Sequence, residues 1–345
     1  MKENRNMTEI LKELVNIPSP TGYSREVREY LKKYLDDLGV KYEVTNKGAV
    51  IATIPGKNKE TIMFSAHVDT LGAMVKEIKG NGRLKLSMLG GSTWTTLDAE
   101  NCIIRTMEDK RYTGTIQSVK PSVHIDGQEA HSIVRSQDTT ELVLDEKVSS
   151  KDDVEKLGIN VGDYVFIDPR FVRTESGFIK SRYLDDKASV AILLKAIEIL
   201  KDSEPVNTLS FFISTFEEVG HGATASISSD VKEFIAVDMG APGNGQNGSE
   251  FETNICAKDS SGPYTLEILE KFVRLCKENN IPHKIDIYNF YGSDASAALR
   301  AGYDVRTGLI GAGVFASHAY ERTHEDSMKA TLDLVVAYAK EGLDR

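Results

Sequence analysis

The chain has 345 residues, 40% hydrophobic and 27% charged, and 52 acidic against 42 basic side chains leave a formal net charge of −10. That length exceeds one ordinary core and asks for two domains or one domain with a large insertion. The negative balance excludes a general nucleic-acid or membrane-surface binder, because no basic patch supplies the phosphate affinity such binding needs.

In chain order, the first seven residues contain no apolar h-region, so no secretory signal is expected. Residues 25–38 place Val27, Tyr30, Leu31, Tyr34, Leu35 and Leu38 at helical i, i+3, i+4 spacing, with Ser24 as the expected N-cap. Strands are expected at residues 49–54 and 61–66. From residue 71 to about 165 the texture changes to short alternating stretches, with Val75, Ile78, Leu84, Leu86 and Met88 between glycines such as Gly80, Gly82, Gly90 and Gly114. This pattern predicts a small inserted all-β domain. A helical period returns over residues 186–200. Strand and helix then alternate through 209–215, 234–237, 263–277, 284–291, 295–301 and 305–309, before a last helix at about 327–342. Such alternation implies an α/β fold, a mostly parallel central sheet flanked by helices. The catalytic domain is therefore expected to be discontinuous, residues 1–70 with 166–345, and the inserted β domain to span 71–165. The longest apolar runs, such as residues 188–194, are far short of a membrane span of ~20 residues. Cys102, Cys256 and Cys276 are odd in number and form no Cys-x-x-Cys pair, which reads as reduced thiols in a cytoplasmic protein.

The chemistry gathers at strand ends. The apolar run 208–215 leads to Glu217-Glu218, the run 234–237 leads to Asp238, and the strand 61–66 leads to His67-Val-Asp69. Open α/β sheets place their sites at such an edge. His67, Asp185, Glu218, Asp238 and one late histidine are candidate metal ligands. Imidazole with carboxylate suits zinc or cobalt better than magnesium. Two adjacent glutamates can divide the work, one binding metal and the other taking the proton from a metal-activated water. Asp69 can hold the second ring nitrogen of His67. Asp185-Asp186 alone would read as a helix N-cap with a neighbouring acid. His221 reads as a loop histidine, His283 as a turn residue, and His124 and His131 lie in the insertion. The segment Gly292-Ser-Asp294-Ala-Ser296 reads as a helix cap that could bind an anion.

In order and spacing, His67-Val-Asp69, Leu184-Asp-Asp-Lys187, Glu217-Glu-Val-Gly220, Val237-Asp238 and Arg322-Thr-His324 resemble the TET-type, glutamyl-aminopeptidase-like dinuclear metallopeptidases, some of which carry the older name endoglucanase. The resemblance covers nearly the whole chain. It implies a zinc-exopeptidase-like fold and two divalent metal ions per subunit, zinc or cobalt. His67, Asp185 and Asp238 would hold one ion, and Asp185, Glu218 and His324 the other. Asp185 would bridge, and Glu217 would be the general base. It implies a peptide bond after the bridging aspartate that is often cis. It further implies action on the N-termini of short peptides, and a homo-oligomer of dimers assembling to a dodecamer, with the insertion at the dimer contact. The chain departs from the family at Lys187, where Arg is usual, in the shortened Gly220-His-Gly222-Ala, and at Arg322-Thr-His324-Glu. The last departure leaves His318 as the rival late ligand. His324 is favoured because it lies just before the final helix. A glycoside hydrolase using two carboxylates without metal is the alternative enzyme reading, although it leaves the histidines without a task. A non-catalytic scaffold is the third reading.

Overall fold

The computed structural model describes residues 6–343. Helices α1 (Met7–Val15) and α2 (Arg25–Leu38) precede strands β1 (Lys41–Val44), β2 (Val50–Ile54) and β3 (Asn58–His67). There follow β4 (Gly72–Ile78), β5 (Leu84–Leu89), β6 (Asn101–Arg105), β7 (Arg111–Ser118), short helices α3 (Val123–Asp126) and α4 (Gln128–Ser132), β8 (Thr140–Leu144), α5 (Lys151–Lys156) and β9 (Tyr164–Ile167). The chain continues through β10 (Val172–Arg173), β11 (Phe178–Ser181), α6 (Leu184–Leu200), β12 (Asn207–Ser214), β13 (Val231–Gly240), β14 (Thr253–Asp259), β15 (Gly262–Pro263) and α7 (Leu266–Glu278). It ends with β16 (His283–Ile287), α8 (Asp294–Arg300), β17 (Arg306–Gly313), β18 (Glu321–His324) and α9 (Glu325–Glu341). Two compact units result, one formed by the chain up to Thr70 and from Arg170 onward, the other by Leu71–Pro169.

The first unit is built on a sheet ordered β1-β2-β12-β3-β13-β17-β14-β15, with β16 pairing β14. Its four middle strands, β12, β3, β13 and β17, are mutually parallel. The flanking pairs β2·β12 and β14·β17 are antiparallel. The middle strands are buried on both faces, which is why they read as unbroken apolar runs. Side-chain alternation divides them between two cores. Ile62, Phe64, Ala66, Leu209, Phe211, Ile213, Ile235 and Val237 pack with α1, α2, α6, α7 and α9. Met63, Phe212, Phe234 and Ala236 pack with Ala295 and Ala298 of α8.

Helix α2 ends at Gly39, whose φ of 71° is left-handed, and Ser24 stands at its N-cap without a side-chain cap bond. Helix α1, outside the elements expected above, carries Met7, Ile10, Leu11, Leu14 and Val15 at helical i, i+3, i+4 spacing and has a complete capping box. Asn6 Oδ1 accepts from Glu9 N–H at 2.8 Å, and Glu9 accepts from Asn6 N–H at 3.0 Å. Strand β14 is hidden in the sequence, because Thr253-Asn-Ile-Cys-Ala-Lys-Asp mixes polar and apolar residues without period.

In the second unit, β4-β5-β8-β7-β6-β9 close into a barrel through the pairing of β4 with β9. Val75, Leu84, Leu86, Ile104, Ile116, Leu142 and Val165 fill it. A Cβ at Gly114 would lie 2.6 Å from the Val143 carbonyl oxygen, so only glycine permits the β7·β8 approach there. The expected purely β insertion also contains α3, α4 and α5. These helices are too short to show a helical period. Among the described residues no helix is long and apolar enough to cross a membrane.

The first core has an aromatic knot. Phe64 stacks on Phe211 at 5.7 Å and meets the edge of Tyr338 at 6.1 Å, linking β3, β12 and α9. Phe64→Ala should cost about 3–5 kcal/mol, read as a lower urea midpoint for unfolding of this unit. Retention of the parental midpoint would show that β3 does not anchor the core.

Candidate metal centre

Register delivers the acids. Ala236 of β13 pairs with Ser65 of β3, so two residues further on each strand reaches Asp238 and His67 with side chains on the same face. On the other side Ser214 pairs with His67, and the chain then turns through a 3₁₀ turn at Glu217–Val219. Asp185 enters from the start of α6, where its ψ of 103° is not helical and the Asp185–Asp186 peptide bond is cis. His67, Asp185 and Asp238 are buried, and their ligand atoms lie within 4.8 Å of one another.

His67 Nδ1 donates to the Asp69 carbonyl oxygen at 2.9 Å, and Nε2 faces Asp185 Oδ1 at 3.1 Å. The Asp69 carboxylate is farther from the ring, 3.7 Å from Nδ1. That carboxylate instead accepts from the Glu217 N–H at 3.1 Å, the Glu218 N–H at 3.4 Å and the Thr21 hydroxyl at 2.6 Å. Asp69 therefore orients the imidazole with its main chain and the glutamate turn with its side chain. Glu217 Oε2 is 3.7 Å from His67 Nε2 and keeps 16% of its side-chain surface open to the cleft. Glu218 is only 3% exposed. His318 Nε2 lies 3.5 Å from Glu218 Oε2 and 3.6 Å from Asp185 Oδ2. Ser317 Oγ donates to that same Asp185 oxygen at 2.9 Å.

The electrostatics are those of crowded, buried acids. Burial and then the Asp185 charge push Asp238 up to about 7. Burial raises Glu217 and Glu218 well above the usual carboxylate range, with neighbouring carboxylates adding to it. For Asp185, burial works against ionisation, but the hydrogen bond and charge of His67 outweigh it and hold the group low. His67 is the mirror case. Burial disfavours its cation, and Asp185 with Glu217 and the other acids raise it well above its ordinary value. The donor set fits a divalent cation. It mixes imidazole and carboxylate, it carries excess negative charge out of water, and Glu218 Oε1 is buried without a hydrogen-bond partner. A cleft of about 660 Å³ opens from these groups, walled by Met239, Tyr288, Phe290 and Tyr291.

His324 does not join the group. It caps α9, with Nδ1 accepting from the Asp326 N–H at 3.1 Å and Nε2 donating to the Ser176 carbonyl at 2.7 Å. Its ring is boxed by Phe178 and Phe251 at 4.9 and 5.1 Å. The late histidine beside Asp185 and Glu218 is His318, contrary to the expectation from sequence. Proximity to the last helix is a capping signal as much as a site signal, and here capping accounts for His324. Lys187 is fully buried and donates to the Leu14 and Ile17 carbonyls at 2.9 and 2.7 Å, and burial pushes it down to about 7. It ties the C-terminal end of α1 under the Asp185 turn. The expected cap at the start of α8 is Ser293, whose Oγ accepts from the Ser296 N–H at 3.4 Å, and Asp294 turns to the sheet. Its carboxylate accepts from Ser65, Ser214 and the Ala223 N–H, locking β3 to β12. His221 stacks on Phe216, and His283 Nδ1 bonds the Ile281 carbonyl.

The profile of the M42 glutamyl aminopeptidase family matches residues 48–334. The Bacillus subtilis protein YhfE, whose name gives it only provisionally as an aminopeptidase, is 47% identical over 343 residues, 99% of each chain. Glutamyl aminopeptidase of Lactococcus lactis is 26% identical over 327 residues, 90% of this chain and 89% of the other. Among solved structures, the TET1 peptidase of Pyrococcus horikoshii, described as able to assemble into a tetrahedron or a large octahedral shell, superposes with a TM-score of 0.87 at 26% identity, covering 97% of this chain and 100% of that one.

The two late histidines should separate cleanly. His324→Ala should lose about 1 kcal/mol of stability, as expected for a lost helix cap, and bind zinc as the parent does. His318→Ala should keep its stability without metal and bind less zinc. Thermal unfolding beside equilibrium dialysis checks both, and the reverse pattern would return the ligand role to His324.

Proposed function

The chain belongs to the M42 glutamyl aminopeptidase family, and from that premise we propose that it is a dinuclear metallo-aminopeptidase releasing N-terminal residues from short peptides. The observation that carries the reading is the buried convergence of His67, Asp185 and Asp238, with Glu217, Glu218 and His318 against it at the floor of one cleft. In this reading His67, Asp185 and Asp238 would hold one ion, and Asp185, Glu218 and His318 would hold the other. Two zinc or cobalt ions so held would polarise the scissile carbonyl and lower the pKa of a water.

The remaining steps belong to the chain. Both glutamates line the cleft, Glu217 is the more open of the two, and its raised affinity for a proton suits it to take one from the attacking water and pass it to the departing amine. Asp69 fixes the Glu217 main chain and the His67 ring, so base and ligand keep their relative positions. Aromatic walls at Tyr288 and Tyr291 exclude water around the bound residue.

Assembly follows from the same family reading. TET1 of Pyrococcus horikoshii is described as able to assemble into a tetrahedron or a large octahedral shell, and the Leu71–Pro169 unit exposes Met107 at 64% and Val161 at 62%. The Met107 methyl lies 3.8 Å from where a Gly162 side chain would begin, so Met107 and Val161 belong to one patch. We place a subunit contact there, within a homo-oligomer built from dimers.

Hydrolysis of aminoacyl-anilides should vanish with EDTA and return with zinc or cobalt. Glu217→Gln should keep both ions by elemental analysis and lose at least ~10²-fold in rate. Loss of an ion, or full activity, would remove Glu217 from the role of base, and chelator-resistant activity would remove the metal from the mechanism. For assembly, Met107→Glu with Val161→Glu should give a smaller species by light scattering. A monomeric parent at micromolar concentration would end the oligomer reading.

A further inference from the structure

We propose that Glu321 is a positioning residue that clamps together the two chain segments presenting Asp185 and His318, and that it thereby sets the affinity of the second ion. The inference rests on the dinuclear reading above. Glu321 begins β18 and is 2% exposed. Its carboxylate accepts only main-chain hydrogen bonds among those seen here: Oε2 from the Leu184 N–H at 2.6 Å and the Asp185 N–H at 3.2 Å, Oε1 from the His318 N–H at 3.0 Å.

Those donors sit where regular structure is interrupted. Tyr183 has φ 69°, and on the other segment Ala316 and His318 have φ 60° and 66°, left-handed values that non-glycine residues avoid. The antiparallel ladder of β11 with β18 ends at the Ser181–Glu321 pair, short of both segments. The loop carrying His318 is closed at its base by the paired main chains of Phe315 and Arg322, with bonds of 2.8 and 3.1 Å. Inside that base, Glu321 reaches from the loop to the turn at Leu184 and Asp185. The contact of Ser317 Oγ with Asp185 Oδ2 crosses the same gap. One carboxylate thus serves both segments through two different oxygens, and with the Ser317 contact and the bond from Arg182 Nη1 to the Ala319 carbonyl at 3.2 Å it holds His318 Nε2 near the Asp185 and Glu218 oxygens. A glutamine cannot do both. Its single carbonyl oxygen can serve Leu184 and Asp185 or His318, and its amide N–H groups then face a main-chain donor.

The test uses the full chain stripped of metal, Glu321→Gln and Glu321→Ala, and cobalt alone as the probe. Titration calorimetry and the visible absorption of bound cobalt report each equivalent. The parent should bind two ions. Both variants should keep the first with parental affinity and bind the second roughly 10–100-fold more weakly, the range for lost outer-shell partners, with an altered absorption spectrum for that equivalent. Activity should return as cobalt is raised, which a merely misfolded variant would not do. Should Glu321→Ala fail to fold, by circular dichroism, the nearly isosteric Glu321→Gln decides. Parental affinity and spectrum for both ions in Glu321→Gln would overturn the proposal, as would equal weakening of both ions. A parent that binds fewer than two ions would instead bring down the dinuclear reading, and this proposal with it.

Discussion

The structure depends on holding several carboxylates close together, out of water, around one imidazole. Two like charges about 4 Å apart repel by about 4 kcal/mol at the effective dielectric of a protein surface, and by more in a dry interior. Asp185, Glu217, Glu218 and Asp238 meet under such conditions. Without a cation the site answers by retaining protons, which is the physical content of the upward shifts in Glu217, Glu218 and Asp238. A divalent ion relieves the same repulsion while leaving the acids ionised. The cluster is thus a cost that the scaffold must carry and a binding energy that it stores.

Carrying that cost requires ligands on elements that cannot relax away. The parallel middle strands supply them, since each is pinned by two neighbours and by a core on each face. His67 and Asp238 stand at equivalent levels on adjacent strands. The proposed ligands that do not come from strands are tied down individually. The glutamate turn hangs on the Asp69 carboxylate, and the Asp185 turn on Lys187 below and Glu321 beside it. Residues outside the cleft account for this rigidity as much as the ligands do. Asp294, for example, joins β3 to β12 through Ser65 and Ser214, directly behind His67.

What could be read beforehand followed the physics of each signal. The middle strands were legible because burial on both faces leaves an apolar run that ends abruptly in an acid or histidine. Helix α2 was legible from apolar spacing, and α6, buried on nearly every side, from the length of its apolar run. Helix α1 was legible by the same rule as α2, with Met7, Ile10, Leu11, Leu14 and Val15 at helical spacing behind the Asn6–Glu9 box, although no helix was expected there. Strand β14 was not, because its partners, rather than its own residues, make it a strand. The geometry of Asp69 was half legible. Its spacing from His67 marked it as a partner, but which of its oxygens meets the ring depends on where the Glu217 turn lies in space. Glu321 gave no signal, since its partners are main-chain N–H groups and these leave no trace in side-chain pattern.

The late histidines show where such reading fails. His318 lies in Ser317-His-Ala-Tyr320, between β17 and the short strand β18, without an acid beside it in sequence. His324 precedes Glu325-Asp326 and a long helix, and so carries the stronger local signal. That signal belongs to the helix end: the ring nitrogen accepts an otherwise orphan N–H, as cap residues do. Phe178 and Phe251 then close around the ring, and a side chain at Gly177 would collide with it. His324 has both nitrogens engaged in building the fold. His318 has its main chain held by Glu321 and presents Nε2 to Asp185 and Glu218. One histidine is fixed by its ring and the other by its backbone. A ligand needs the second arrangement, because its ring nitrogen must face the other donors, as His318 Nε2 faces the Asp185 and Glu218 carboxylates.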